Sequence, residues 1–255
     1  MPRAQRASRG DGLTTRSDPV PAAEAEALLA AGRMELLGLL PGASNYTFLA
    51  RVSDGDRSTL AVYKPRDGES PLWDFPDGTL CQREVAAFVL ASALGWPHVP
   101  PTVLRDGPHG PGAVQLFVKA DYQEHYFTLR DRRLSDFVPT AAFDVVANNA
   151  DRKAGHCLLA PDGTIWLIDH GVCFAAEPKL RTVIWDFAGE PVPPDIVADL
   201  DRVAGELRDG SLRGRLLELL TSAEIDATAR RAEELSRSGC FPAPTGNRPY
   251  PWPPV

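Results

Sequence analysis

Two neighbouring stretches of the chain constrain its fold more than any other feature. The first, Phe143–Leu159, runs from an apolar helix end into a polar loop that carries Asp151. The second, Gly163–Phe174, has the pattern of a short hairpin and delivers another carboxylate, Asp169, just before Gly171. Two strand-borne loops therefore place two carboxylates side by side. Phosphoryl transfer uses such a pair, with one acid orienting the attacking hydroxyl and the other holding a metal on the phosphates.

The spacing of these acids can be compared with the kinase pattern. In kinases the base Asp is followed at +2 by a Lys and at +5 by a metal-binding Asn, with Asp-Phe-Gly a strand later. Here Lys153 and His156 stand at those two positions after Asp151, and Asp169-His170-Gly171 takes the place of Asp-Phe-Gly. Because Asp and Gly are also common in turns, two interpretations stay open: a kinase-like site, or two ordinary turns.

Arginine is the usual cation of this chain, which makes its few lysines informative. The chain has 27 basic residues, and only four of them are Lys. One of these, Lys64, ends the apolar strand pattern Leu60–Lys64. A compact ammonium acts as a point charge on α- and β-phosphates, where a forked guanidinium fits differently. We therefore predict that Lys64 contacts nucleotide phosphates, the alternative being a solvated strand end.

The pattern around Lys64 predicts a small antiparallel sheet. Met34–Leu40, Tyr46–Val52 and Thr59–Tyr63 form a strand meander, after a short helix over Ala22–Ala31. The turn Pro41–Asn45 can offer backbone N–H groups to phosphate oxygens or simply close a hairpin, and its composition favours the hairpin.

A helix over Thr79–Leu94 follows, closed by Gly95, with Thr79 and Gln82 in a capping-box pattern. This helix carries Glu84, either as an ion-pair partner of Lys64 or as an exposed acid of the first turns.

The remaining chain predicts two more strands and then a mainly helical region. Thr102–Leu104 and Ala113–Val118 read as strands joined by a loose Arg105–Gly112 connection, and Lys119–Asp121 reads as a hinge with backbone groups for a purine edge. Helices are predicted over 129–137, 140–148, 195–208, 212–220 and 223–237, the last beginning with a capping box of Thr221 and Glu224.

Composition excludes several classes of function. The net charge of −7 argues against a nucleic-acid partner and against adhesion to anionic membranes. No apolar run is long enough to cross a bilayer, and the basic N-terminus lacks the apolar segment of a secretory signal. The four cysteines form no C-x-x-C pair, which favours reduced thiols and a cytoplasmic location.

We expect one kinase-like unit over residues 19–255. Its parts are a disordered N-terminus at 1–18, an N-lobe at 19–119, a C-lobe at 120–240 and a Pro-rich tail at 241–255. The predicted fold class is α+β, with an antiparallel sheet in the N-lobe and a mainly helical C-lobe.

From about Pro41 to Asp186 the sequence resembles the phosphatidylinositol 3-/4-kinase superfamily, and within it the type II phosphatidylinositol 4-kinases most closely. It is also similar to short actinobacterial proteins described as phosphatidylinositol-kinase-like. The order of six blocks carries the resemblance: Ser44-Asn45-Tyr46, Tyr63-Lys64-Pro65, Arg83–Ala87, Gln115–Val118, Asn149–Arg152 and Ile168–Gly171.

The resemblance implies a two-lobed protein-kinase-like fold with ATP between the lobes and Mg²⁺ or Mn²⁺ on the phosphates. Asp151 would be the base, with Lys153 steadying the transferring group, and Asp169 would be a metal ligand. For the nucleotide, the resemblance assigns Lys64 paired with Glu84 to the phosphates, Ser44 and Asn45 to a position over them, and Phe117 and Val118 to the adenine.

The sequence departs from the family at two points. His156 replaces the Asn that holds a second metal, and imidazole is a poor ligand for the hard Mg²⁺ ion. The second metal is then lost, or Mn²⁺ is preferred, or His156 contacts a phosphate as a cation. The acidic chain also lacks a basic surface or acylated cysteine cluster for membranes, so we expect a soluble hydroxyl acceptor, either a protein or a small molecule.

Three functions remain open on the sequence. The first is an ATP-dependent phosphotransferase, the second is a nucleotide-binding pseudokinase that acts as a scaffold, and the third is an AMP transferase.

Overall fold

The computed structural model describes residues 22–41, 45–96, 98–246 and 248–255. The first part of the chain forms helix α1 (Ala22–Ala31), strands β1 (Arg33–Leu39), β2 (Phe48–Asp54) and β3 (Arg57–Pro65), helix α2 (Leu80–Leu94), and strands β4 (Thr102–Gly107) and β5 (Gly110–Leu116). The strands form one antiparallel sheet in the order β1-β2-β3-β5-β4.

The rest of the described chain is mainly helical. It contains α3 (Tyr126–Arg133), α4 (Val138–Ala147), a two-stranded ribbon of β6 (Cys157–Leu159) and β7 (Ile165–Leu167), and then α5 (Pro194–Arg208), α6 (Ser211–Leu217) and α7 (Ser222–Ser238). Single 3₁₀ turns lie at Arg66–Gly68, Leu134–Phe137 and Ala154–His156. The predicted two-lobed α+β architecture is confirmed: an antiparallel sheet forms one lobe and helices form the other.

The two lobes have separate cores, and α2 joins the larger one. Alternate residues of β2, including Ala50 and Val52, are fully buried against Leu28 and Leu29 of α1. The helical lobe has a much larger core, which also takes in Leu90 of α2. Burial of apolar surface against the helical lobe therefore holds α2 in place, although α2 follows the sheet strands in the sequence.

The connection between β4 and β5 differs from the prediction of a loose loop. The two strands stay paired as far as Gly107 and Gly110, leaving a tight turn. Gly110 has a φ of +81°, which a tight turn requires and glycine adopts at no cost. At Gly112 a Cβ would lie 2.5 Å from the carbonyl oxygen of Lys64, so glycine is what lets β5 approach β3. The glycines that suggested a loop are the residues that allow the hairpin.

The predicted capping of α2 is wrong, and the predicted capping of α7 is correct. The hydroxyl of Thr79 does not cap α2 and donates instead to the carbonyl of Pro76. The carboxylate of Glu69 caps α2, because it accepts the N–H groups of Leu80 and Cys81 at 3.0 and 2.7 Å. At α7 the predicted capping box is confirmed, with the side chains of the two capping residues each accepting the other's backbone N–H.

Two smaller observations complete the fold. All four cysteines are free thiols. Among the residues that the structure describes, none of the helices combines the length and the apolar character needed to span a bilayer.

Candidate active site

A cleft of about 440 Å³ lies between the sheet and the helical lobe. Lys64 reaches it from the end of β3, and Glu84 reaches it from α2. Asp151, before β6, and Asp169, after β7, line the same cleft. The fold therefore brings the predicted cation and the two predicted acids into one chamber. Other residues that line it include Asn45, Leu72, Leu80, Lys153, His156, Val172 and Val255.

Lys64 is the central cation of the cleft. Its ammonium donates to Glu84 Oε1 at 2.5 Å and to Asp169 Oδ1 at 2.6 Å. Burial acts to lower the pKa of Lys64, but the two carboxylates outweigh it and hold that pKa above its ordinary value. Lys64 is therefore a permanent positive charge shared between an acid of α2 and an acid of the loop after β7.

Glu84 is buried, which rules out the exposed first-turn acid that its sequence position also allowed. Its relative exposure is only 4%. One carboxylate oxygen accepts from Lys64, and the other accepts the backbone N–H of His170 at 3.0 Å. Glu84 thus links α2, β3 and the loop that carries Asp169. The Glu69 cap fixes the start of α2 and so helps to set the position of this acid.

Asp169 occupies a conformation that is rare for a residue with a side chain. Its φ is +58°, in the left-handed region, and such backbone strain is characteristic of functional sites. Its side chain is 47% exposed, so it can meet a ligand in the cleft. Burial acts to raise the pKa of Asp169, but Lys64 overcomes this and lowers that pKa below its ordinary value. Asp169 is an ionised carboxylate, a donor type that suits Mg²⁺ or Mn²⁺.

Asp151 and Lys153 form a second, looser pair. The ammonium of Lys153 lies 3.5 Å from Asp151 Oδ2, and the backbone N–H of Asp151 donates to the side chain of Asn149. Burial raises the pKa of Asp151 above its ordinary value, against the opposing effect of Lys153. A carboxylate with a raised pKa is a better proton acceptor, which suits the predicted role of base.

His156 faces Asp169 as a neutral ring. Its Nε2 lies 3.5 Å from Asp169 Oδ2, and burial lowers the pKa of His156 to about 4. Its Nδ1 accepts the backbone N–H of Lys153, so the ring proton of the neutral tautomer belongs on Nε2. The role of His156 as a metal ligand stays a prediction. The cation form proposed for a phosphate contact is disfavoured, because the ring is uncharged at neutral pH.

The four other predicted nucleotide contacts have different outcomes. Ser44 lies outside the described residues. Asn45 lines the cleft and accepts the backbone N–H of Ser70 at 2.8 Å. Phe117 and Val118 follow the end of β5 and are not among the residues that line the cleft, and the N–H of Phe117 donates to Leu60. Their contact with adenine stays a prediction.

Sequence reasoning missed a buried network beneath the two predicted acids. Arg152 is completely buried and donates from Nε and Nη2 to Asp144. It also donates to the carbonyl of Ile168 and contacts His170 Nε2 at 2.8 Å. Asp144 accepts further bonds from Asn149 and Thr182.

The network ties the loop of Asp151 to the loop of Asp169. The available signal was the position of Arg152, directly after the predicted base, together with an acid inside the apolar pattern of α4.

Comparisons with known proteins place this site in context. No protein-family model matches the chain. The chain is 40% identical over 268 residues to Protein Rv2133c of Mycobacterium tuberculosis, covering 89% of this chain and 94% of that protein. It is 28% identical over 194 residues to Phosphatidylinositol 4-kinase gamma 4 of Oryza sativa subsp. japonica. That match covers 61% of this chain but only 34% of the plant protein.

A solved structure has a similar fold. The crystal structure of the Golgi casein kinase with Mn/ADP bound matches 85% of this chain and 74% of its own, with a TM-score of 0.56 and 17% sequence identity. At that identity the likeness concerns the fold, which is therefore protein-kinase-like.

Proposed function

This chain belongs to the same family as Protein Rv2133c, and from its protein-kinase-like fold we propose that it is an ATP-dependent phosphotransferase. One observation carries the proposal. The ammonium of Lys64 lies within hydrogen-bond distance of Asp169 in a cleft that Asp151 also lines. This is the minimal set for the reaction: a cation for phosphates, an oxygen ligand for a metal and a base for a hydroxyl.

The residues divide the work between charge and proton transfer. Lys64, held by Glu84, neutralises the nucleotide phosphates. Asp151 accepts the proton of the acceptor hydroxyl as its oxygen bonds to the γ-phosphorus. The bond from that phosphorus to the β–γ bridging oxygen then breaks, and ADP leaves. Lys153 steadies the charge on the transferring group. Most of the rate comes from positioning and from preorganised charge.

The donor set fits one divalent cation better than two. Asp169 is an ionised, half-exposed carboxylate, and it is the residue that would hold Mg²⁺ or Mn²⁺. When bound, such an ion would neutralise charge on the phosphates. The described residues contain no group of three or more acid, His or Cys side chains suited to a metal, so the remaining ligands would be phosphate and water oxygens. The presence of His156 in place of the metal-binding Asn is consistent with the loss of the second metal.

The acceptor we propose is a soluble hydroxyl compound, either a protein or a small molecule. The plant relative is named for phosphatidylinositol, but it matches only part of this chain. The net charge of −7 disfavours docking on anionic lipid.

ADP formation with Mg²⁺ or Mn²⁺ tests the proposal. Asp151→Asn and Asp169→Asn should each lower the rate by about 100-fold or more. The matched control is Asp131→Asn, the same substitution at a side chain that is 90% exposed and distant in sequence from both loops. We expect the control to keep the wild-type rate. Equal rates in all four proteins would overturn the proposal.

A second function, nucleotide binding without turnover, is favoured by one departure from the kinase motif. His156 stands where kinases have the Asn that holds a second metal, and imidazole is a poor ligand for Mg²⁺. Thermal-shift titration with ATP and Mn²⁺ separates the two functions. Stabilisation by nucleotide without any ADP formation identifies a pseudokinase. ATP labelled on the α-phosphate covers the third function, because only AMP transfer moves that label to protein.

A further inference from the structure

The Pro-rich tail packs against the predicted catalytic loop. The carbonyl of Pro254 accepts the backbone N–H of Ala154 at 2.8 Å, in the turn between Lys153 and His156. Ala154 is fully buried, so the loss of this acceptor would leave a buried amide unsatisfied. The tail therefore holds the loop at a point between two residues of the proposed site.

A second anchor lies at the other end of the same segment. The carbonyl of Pro249 accepts the backbone N–H of Thr182 and the indole N–H of Trp185, both at 3.1 Å. Thr182 in turn is bridged to Arg152, because the N–H of Arg152 donates to Arg181 and the N–H of Val183 donates to Arg152. The tail, the 181–185 segment and the catalytic loop thus form three layers joined by backbone hydrogen bonds.

The amino-acid composition of the tail suits this role. Proline has a carbonyl acceptor but no N–H donor, so Pro-rich backbone can accept bonds without burying unpaired donors. Tyr250 and Trp252 are 54% and 89% exposed, so these aromatic residues do not hold the tail. Pro251 between them is buried. Backbone carbonyls and Pro251 hold the tail, and Val255 continues it into the wall of the cleft.

We propose that the segment 249–254 is a positioning element of the active site, which holds the loop carrying Asp151 and Lys153 in its working geometry. This inference rests on the proposed function. The segment contacts the loop that carries Asp151, whereas Lys64 is held by Glu84 and Asp169. Release of the tail should therefore lower turnover and leave nucleotide binding unchanged. A merely structural element would weaken both.

The test uses the full chain with Pro251→Asp, which places a charge at the buried tail position. Tyr250→Ala is the matched control, because it alters an adjacent residue whose side chain is mostly exposed. Hydrogen exchange at the Ala154 and Thr182 amides reports the anchors directly. We expect both amides to exchange about tenfold faster or more in Pro251→Asp and at the wild-type rate in the control.

The functional readout separates positioning from general damage. In Pro251→Asp we expect kcat to fall about tenfold or more while the Kd for ATP with Mn²⁺ stays within about twofold of wild type. Unchanged protection of Ala154 would overturn the proposal, and so would a parallel loss of kcat and ATP affinity. If Pro251→Asp fails to fold, Trp185→Phe removes one donor to Pro249 and should give the same pattern at smaller size.

Failure of the proposed function is visible separately. A wild-type protein that neither binds nor turns over ATP refutes the phosphotransferase, while the exchange measurement still decides whether the tail anchors the loop.

Discussion

Two ionic clusters surround the candidate site, and they differ in their access to the cleft. Lys64, Glu84 and Asp169 form the cleft cluster, in which the Asp169 side chain is half-exposed. Arg152 and Asp144 form the buried cluster, in which both side chains are inaccessible to solvent. The cleft cluster can exchange partners with a ligand, whereas the buried cluster can only hold its loops in place.

The fold thus assigns ligand contact to the cleft cluster and the positioning of the loops to the buried cluster. Burial of an ion pair is expensive unless every polar atom has a partner, and Arg152 and Asp144 meet that condition through Ile168, Asn149 and Thr182. The Lys64 ammonium has two carboxylates, one of which is available to a ligand. Four experiments can break or sharpen this division.

The largest effect should come from the buried cluster. Arg152→Met removes one partner of a buried pair and leaves Asp144 uncompensated, which should cost about 3–5 kcal/mol of unfolding free energy. For a chain of this size the loss corresponds to a fall in Tm on the order of 10 °C. Differential scanning calorimetry measures it. A Tm within about 2 °C of wild type would show that the cluster does not support the fold.

Lys64→Met should lower activity strongly and thermal stability only a little. Loss of the phosphate cation should lower ADP formation by about 100- to 1000-fold, as for other groups that stabilise developing charge. Its effect on Tm should be smaller than that of Arg152→Met, because the half-exposed Asp169 stays open to water and Glu84 keeps the backbone N–H of His170. Arg202→Met, which removes a cation from a side chain that is 51% exposed on α5, is the control. A larger Tm loss in Lys64→Met than in Arg152→Met would reverse the comparison.

His156→Asn sharpens the metal assignment within the cleft cluster. An amide oxygen is a hard donor that Mg²⁺ accepts, while imidazole is a poor ligand for this hard ion. We expect the ratio of Mg²⁺-supported to Mn²⁺-supported turnover to rise about tenfold. The exposed His98 provides a matched control as His98→Asn. An unchanged ratio would mean that position 156 does not contact the metal region.

The pH dependence of stability gives the smallest effect. Burial lowers the pKa of His156 from 6.5 to about 4, so below pH 6.5 the unfolded chain takes up a proton that the folded chain does not. This contribution to stability is present above pH 6.5 and is lost as the pH falls towards 4. It should remove about 1 kcal/mol between about pH 7 and about pH 5.5.

Thermal unfolding in buffers of matched ionic strength measures this loss. His156→Asn should lose less stability than wild type over the same interval. Burial also lowers the pKa of His170, which supplies the remaining acid sensitivity in the variant. Identical pH profiles for the two proteins would contradict the assignment of this effect to His156.

The comparison also separates what the sequence could predict from what it could not. The sheet, the helices and the cation at position 64 follow from local apolar periodicity and from the rarity of Lys. The spacing suggested that Asp151 and Asp169 would meet, because a short hairpin joins the two loops that carry them. These inferences depend on residues that are close in sequence or on a single recurring motif.

The buried cluster escaped prediction because its bonds link residues whose side chains show no local pattern. An Asp inside a helix and an Arg in a loop are ordinary surface residues until the fold buries both. The Glu69 cap on α2 was missed for the same reason, since a distant carboxylate replaced the local Thr79 hydroxyl. The anchoring carbonyls of the tail carry no side-chain signal at all.

The central claim is that the cleft binds the phosphates of ATP between Lys64 and Asp169 with the terminal phosphate toward Asp151. A crystal structure with Mn²⁺ and a non-hydrolysable ATP analogue tests it most directly. We expect phosphate oxygens in contact with Lys64, one metal on Asp169 and the γ-phosphate nearest to Asp151. An α-phosphate facing Asp151, or a nucleotide bound outside this cleft, would contradict it.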